Sequence, residues 1–254
     1  MEQHLNTLLA AREPGTGLWL LENQDVRKWI DGCSDDMRRL WLRGYEGAGK
    51  SILAATLAEE MRLRARQTMG NTRPDALCFY ACRNEAVGST GEAVISSLVL
   101  QLATQSQRAS QLLELGADND LIANTKAPST LQELGALLDT TVTHFRRVSV
   151  FIVDVQGLET DVQRSVLSLL VDLSHAYESA VRLCISGSVL DDVYKEICHK
   201  AAFHTLLAMG KSEDIRLYIR SQLSRKKAFG MTFLDSESVP SGLESRIVGQ
   251  SHGA

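Results

Sequence analysis

The chain has 254 residues, 44% of them hydrophobic and 23% charged, enough apolar material for one large α/β domain or two small ones and too little charge for a disordered chain. A formal net charge of -4 argues against nucleic-acid binding through a broadly basic surface. Five cysteines at irregular spacing, no long apolar run and an N-terminus carrying Glu2 and Glu13 exclude a disulfide framework, a spanning helix and a signal peptide, and predict a cytoplasmic protein.

Residues 3–12 read as a short helix ended by Pro14-Gly15. Gly15-Thr16-Gly17-Leu18-Trp19-Leu20-Leu21 leads into a segment with Val26, Trp29 and Ile30 at helical spacing, closed by Gly32 and the turn Cys33-Ser34-Asp35-Asp36. Leu40-Trp41-Leu42, within 39–43, is an apolar run suited to a buried strand. Directly after it, Gly44-Tyr45-Glu46-Gly47-Ala48-Gly49-Lys50-Ser51 fits G-x-x-x-x-G-K-S/T. A helix over 50–67 follows, with Ile52, Leu53, Thr56, Leu57 and Met61; Arg62, Arg64 and Arg66 give it the basic C-terminal end that suits a helix dipole.

Further along, Ala76 to Ala81 is a second buried strand. Ser89-Thr90-Gly91-Glu92 has the form of a capping box and opens a helix through Val94, Leu98 and Leu102; Thr130-Leu131-Gln132-Glu133 repeats the signal and opens a helix to Phe145. Between them, 106–129 is polar, with Leu112, Leu113 and Leu115 marking a short helix. Val148 to Val153 is the strongest β-branched run and ends at Asp154. Thr160-Asp161-Val162-Gln163 reads as a third capping box, and the helix behind it places Val162, Val166, Leu169, Leu170 and Leu173 on one face. Val181 to Ile185 is the fourth strand, Asp191-Asp192-Val193-Tyr194 opens a short helix, and Phe203 to Met209 is the fifth strand. Ser212 precedes a helix carrying Ile215, Tyr218, Ile219 and Leu223, and from Ser224 the chain turns polar and irregular.

Strands alternating with helices predict a parallel sheet covered on both faces, with ligands beyond the carboxyl ends of the strands. The glycine loop, Asp154 and Ser186 all fall at such ends and are expected to meet in space. The glycines let several N–H groups turn toward one anion, and the helix that starts there adds its unpaired N–H groups and dipole. Gly44, Gly47, Ala48, Gly49, Lys50, Ser51 and Ile52 are therefore the expected nucleotide-binding residues, with Lys50 reaching the β- and γ-phosphates. Ser51 and Asp154 are the expected Mg²⁺ ligands, and Glu159, five positions past Asp154, is the candidate for orienting an attacking water. Cys78 and Cys82 read as core residues, Cys198, His199 and His204 lack a fourth zinc ligand at a usual spacing, and Arg225-Lys226-Lys227 reads as a solvated helix end. Neither G-x-S-x-G nor H-E-x-x-H occurs, so serine-hydrolase and zincin chemistry has no support.

Taken together, GTGLWLL, LWLRGYEGAGKS, VFIVD, LCISGS and EDIRLYI, in this order over about 15–250, resemble the NTPase domain of fungal NACHT proteins. These are NOD-like receptors of the STAND class, catalogued as a nephrocystin-type N-terminal domain. The resemblance implies an α/β, three-layer P-loop NTPase with a parallel five-stranded sheet in the order 5-1-4-3-2 and helices on both faces. It implies a lead-in over 1–35, a core over 36–223 and the start of a following helical region over 224–254. The implied activity is an ATP- or GTP-dependent, Mg²⁺-assisted switch in innate-immune or incompatibility signalling. The implied partners are the nucleoside triphosphate, further copies of the chain, and the effector and repeat domains of a longer protein, with neither membrane nor nucleic acid among them. The GTG stretch at 15–17 falls near the nucleotide base by the same resemblance.

The chain also departs from that family. Glu46 stands where proline usually precedes the central glycine, Val155 to Leu158 replace the acids that normally follow the strand-end aspartate, and Ser188 stands where a sensor arginine is usual. These departures predict binding with weak or no hydrolysis. Two alternatives are a competent NTP hydrolase using Glu159 and an interaction domain that keeps the fold without the ligand.

Overall fold

Arg39–Gly44 forms β1, and every side chain in it except Arg43 is buried. A strand that hides both faces must sit inside a sheet, and β1 lies between β4 (Val181–Ser188) and β5 (His204–Leu207). Beyond β4 come β3 (Arg147–Val153) and β2 (Asp75–Ala81), all pairs parallel, giving the order β2-β3-β4-β1-β5. This is the expected order, counted from the other edge. The structure is a computed structural model describing residues 2–32, 37–82, 90–111, 130–178, 180–188, 192–208 and 211–228. Cys33, Ser89, the 112–115 leucines, Asp191 and Met209 lie outside the described residues.

Alternation along each strand divides the apolar side chains between two cores. Trp41, Val148, Val150, Ile152, Leu183 and Ile185 point into one. It is closed by α5 (Gly91–Ala103), α6 (Leu131–Val142), α7 (Thr160–Ala176) and α8 (Asp192–Lys200). Leu40, Leu42, Phe151, Val153 and Cys184 point into the other, beneath α4 (Lys50–Gln67). The N-terminal helices α1 (Glu2–Ala11), α2 (Trp19–Glu22) and α3 (Gln24–Asp31) belong to this second core through Leu5, Leu20, Val26, Trp29 and Ile30. Trp29 is fully buried, donates Nε1–H to Arg38 O and Leu183 O at 3.0 and 3.1 Å, and meets Phe151 edge-on. Truncating a tryptophan so placed costs about 3–5 kcal/mol.

The helix starts separate true caps from apparent ones. Thr130 forms the expected box with Glu133 on α6, which ends at Val142, short of Phe145. On α5 the cap is Thr90, which accepts from Ala93 N. No box forms at Thr160: the cap position of α7 is Glu159, and the Gln163 amide turns back to donate to Leu158 O at 2.9 Å. The 3₁₀ turn Val155–Gly157 before it delivers that carbonyl and outcompetes the local pattern. β5 is shorter than expected at four residues, and β4 continues past Ile185 to Ser188.

The β2 edge of the sheet is closed by side chains. Gln105 accepts from Leu77 N at 3.0 Å and donates to Leu77 O at 2.8 Å; Gln101 accepts from Phe79 N at 2.8 Å and donates to Phe79 O at 3.1 Å. Gln101 in the last turn of α5 and Gln105 in the turn that follows it are spaced by nearly the distance spanned by i, i+2 on a strand, so the two amides stand in for a neighbouring strand.

Candidate functional site

Three glycines of the motif that runs from the end of β1 into α4 have two separate reasons to be glycine. Gly47 and Gly49 hold φ of 78° and 79°, in the left-handed region where a side chain is strained, and a Cβ on either would point into open space. Gly44 has no such φ; a Cβ there would lie 2.8 Å from Ala208 O, at the end of β5. The loop delivers the chain into α4 with Gly49 at the cap position and no side chain capping it. The first-turn N–H groups therefore stay available to an anion.

Lys50 is buried, 5% exposed, and its ammonium donates to Tyr45 O at 2.8 Å. Burial pulls its pKa below the ordinary lysine value, while the carboxylates of Asp154 and Glu46 pull the other way. Ser51, on the same turn, donates its hydroxyl to Asp154 Oδ2 at 2.6 Å across 103 residues of sequence. Asp154 ends β3 with φ 58° and ψ 50°, alone among the described non-glycine residues at positive φ. Its own N–H donates to Ser186 Oγ on β4 at 2.9 Å, and Ser186 is fully buried. Thus Lys50, Ser51, Asp154 and Ser186 meet at the carboxyl ends of β1, β3 and β4. A conformation costing about 1–3 kcal/mol is retained where that carboxylate stands.

Ala48 and Ile52 are half-buried beside these groups and Glu46 is exposed. Glu159 is exposed at the N-cap position of α7, caps nothing with its side chain, and has no side-chain hydrogen bond to Ser51 or Asp154 among the described residues. Cys78 and Cys82 are buried in the core, and among the described residues no cluster of His, Cys, Asp or Glu is disposed to hold a metal by itself.

One residue of this corner escaped sequence reasoning. Asp214, in the first turn of α9 (Ser212–Ala228), accepts from Gly17 N and Trp19 Nε1. It fastens the GTG stretch against α4, where a Cβ on Gly17 would meet Leu53 and Thr56. The motif EDIRLYI marked this segment, but an acid in a first helical turn ordinarily reads as a partner of the helix dipole, so the sequence did not signal the bonds to Gly17 and Trp19.

Residues 15–187 match the family model described as Nephrocystin 3, N-terminal. The chain belongs to this family. Among sequence relatives of the nephrocystin 3 N-terminal domain described here, vegetative incompatibility protein HET-E-1 of Podospora anserina is 31% identical over 88 residues, covering 34% of this chain and 6% of that protein. Among solved structures, the Aeropyrum pernix Orc1 protein, determined in complex with DNA, matches at TM-score 0.52 and 12% identity over 79% of this chain and 48% of its own. Cdc6p of Pyrobaculum aerophilum gives 0.45 and 18% identity, over 85% of this chain and 50% of its own. The nephrocystin-type domain thus spans about half of these structures and a small part of the incompatibility protein. Its fold is that of the P-loop NTPases. Among the described residues no helix is long and apolar enough to cross a membrane.

Proposed function

We propose that this domain binds a nucleoside triphosphate, ATP or GTP, together with Mg²⁺, and works as a slow switch in a defence or incompatibility response in the cytoplasm. The observation that carries the reading is the Ser51 Oγ to Asp154 Oδ2 contact of 2.6 Å beside an uncapped helix N-terminus and a buried lysine. The donor set suits the ligand. The left-handed glycines leave the loop open, Lys50 and the α4 N–H groups supply fixed positive charge, and a hydroxyl and a carboxylate are the oxygen ligands a hard cation takes. Ser51 and Asp154 would hold the magnesium, which when bound neutralises charge on the phosphate oxygens. Lys50, drawn off Tyr45 O, would meet the β- and γ-phosphates, and Gly44 to Ile52 would wrap them.

Turnover has less support. Glu159 is exposed and has no side-chain hydrogen bond to Ser51 or Asp154 among the described residues, and β4 ends in Ser186-Gly187-Ser188 where an arginine would place transition-state charge. Charge of that kind accelerates hydrolysis by about 10³–10⁵-fold where a partner supplies it. We therefore assign binding with hydrolysis of about a few turnovers per hour, the scale of an unassisted P-loop switch. The likeness to an incompatibility protein supports readout by other domains of a longer protein or by self-association.

Titration calorimetry with Mg-ATP and Mg-GTP tests this. Lys50→Ala is expected to fold and to lose most of the affinity, since the side chain acts as a charge on the ligand. Equal affinity in mutant and parent, or none in the parent, overturns the assignment. Single-turnover assays on the parent and Glu159→Gln are expected to be equally slow; several turnovers per second in the parent, lost in the mutant, would make the domain a competent hydrolase.

A further inference from the structure

The end of the sheet opposite the P-loop holds a cavity of about 380 Å³, where β2, β3 and β4 begin and α4 ends. Four arginines line it, Arg64, Arg146, Arg147 and Arg182, against the two acids Glu60 and Asp75. Two of these cations are already partnered. Arg146 grips Asp75 with both prongs, Nε to Oδ1 and Nη2 to Oδ2, each at 2.8 Å. Arg64 pairs with Glu60 at 2.7 Å and with Asp31 at 2.8 Å.

The other two have donors to spare. Arg182 is 5% exposed and, among the described residues, makes one hydrogen bond, Nη1 to Ile30 O, from a group carrying five N–H donors. Arg147 is opposite Asp75 in the β2–β3 register, yet that carboxylate is taken by Arg146, and the Arg147 side chain has no hydrogen bond or ion pair among the described residues. Ser149, on the same face of β3 and 3% exposed, lines the cavity with a hydroxyl that has no partner among the described residues. Burial first, and then the Arg147 and Arg64 charges, push the Arg182 guanidinium down to about 10, against the opposing pull of Asp75 and Asp31. The C-termini of α3 and α4 turn partial negative charge toward this corner and account for a cation being there. They leave two neighbouring guanidiniums and a hydroxyl lining one cavity with donors that no protein group among the described residues engages, and these are free to meet an acceptor that enters.

We propose that this cavity binds a compact inorganic oxyanion of the phosphate class, orthophosphate or pyrophosphate, held by Arg182 and Arg147 with the Ser149 hydroxyl as a third donor. Planar guanidiniums match tetrahedral oxyanions through paired N–H···O bonds, which a lysine could not reproduce. Among the described residues no aromatic side chain lines the cavity to stack a base, so the inorganic ion is favoured over a nucleotide. Strands of six to eight residues place it roughly 20 Å from the P-loop, too far for one ligand's phosphates to serve both.

The test is calorimetric titration of orthophosphate and pyrophosphate, without Mg²⁺ and at fixed ionic strength, into the whole chain carrying Lys50→Ala. Saturable binding is expected, weakened at least tenfold by adding Arg147→Gln and several-fold by adding Ser149→Ala. Arg182→Gln is used only if circular dichroism shows it folded; Arg147→Gln, at a half-buried position, decides otherwise. No saturable heat, heat unchanged in Arg147→Gln, or an effect reproduced by sodium chloride at equal ionic strength would each overturn the proposal. ATP binding that is equally sensitive to Arg147→Gln would overturn the inorganic assignment.

Discussion

Asp214 accepts the Trp19 indole N–H at 3.0 Å, and the same carboxylate oxygen takes the Gly17 N–H at 2.9 Å. Two motifs at opposite ends of the described chain, GTGLWLL and EDIRLYI, are thereby one piece of structure. The bond matters because α9 is otherwise lightly held: none of residues 212–225 is fully buried. Besides Asp214 it has Leu217 beside Gly15 and the Arg225 to Glu13 ion pair at 3.1 Å.

Asp214→Ala is expected to free α9 before it harms the sheet. Hydrogen bonds to a charged group contribute about 1.5–3 kcal/mol, and a helix with few buried contacts opens locally. Amide exchange should quicken along 212–225 and at Gly17 while β3 stays protected. Unchanged protection of α9 would show that the carboxylate does not hold it.

Asp154 allows backbone and carboxylate to be separated. Its left-handed conformation penalises any Cβ, by about 1–2 kcal/mol, but not glycine. Asp154→Gly should therefore exceed Asp154→Ala in stability by about 1 kcal/mol in urea denaturation, although both lose the Ser51 contact. Both should also lose Mg²⁺-dependent strengthening of nucleotide binding. Equal stability of the two mutants would mean that the backbone stores no strain at this position.

Where the sequence was readable, the reason is physical. Strands buried on both faces show as nearly continuous apolar runs, which is why Leu40-Trp41-Leu42 and Val148 to Val153, with Ser149 its single polar residue, stood out and the alternating order of elements followed. The meeting of Ser51, Asp154 and Ser186 was legible too, because parallel strands put their carboxyl ends side by side. Thr160 misled because a capping box is a local pattern, and Gln163 found a nearer carbonyl in Leu158. The Asp154 φ and the reach of Asp214 across 197 residues to Gly17 leave no trace in composition or spacing. Arg182 sits inside an apolar strand, where a single cation reads as an interruption.

Removing the amides that close the sheet is a stability test with a second readout. Gln101→Ala or Gln105→Ala strips a buried N–H and C=O on β2 of their partners, at about 1–3 kcal/mol for each group left unmade. The double mutant should unfold at lower urea and, below its transition, associate as concentration rises, because an open strand edge recruits strands. A double mutant as stable and as monodisperse as the parent would show that the amides are incidental.

Thiol reactivity should follow burial. Desolvation drives Cys78 and Cys184 far above the ordinary cysteine range and Cys82 to about 12, so at pH 8 almost none of them is thiolate. Cys198 is half-buried, and although burial raises its pKa, Tyr194 and Arg43 draw it back. Among the four described cysteines, mass spectrometry after native alkylation should find Cys198 modified first and Cys78, Cys82 and Cys184 only after unfolding. Early modification of Cys184 would mean that β4 opens far more readily than its two neighbours allow.

Gly44 answers to a different master from the glycines that follow it. It is held to glycine by Ala208 O at 2.8 Å, a contact within the protein, whereas Gly47 and Gly49 face open space. The two demands can therefore drift apart over evolutionary time. A descendant that abandoned its ligand would be released from the lysine and the outer glycines, yet still be punished for any side chain at the first. In related sequences, a surviving first glycine on its own is thus a mark of the fold, and only the later pair testifies to an occupied loop.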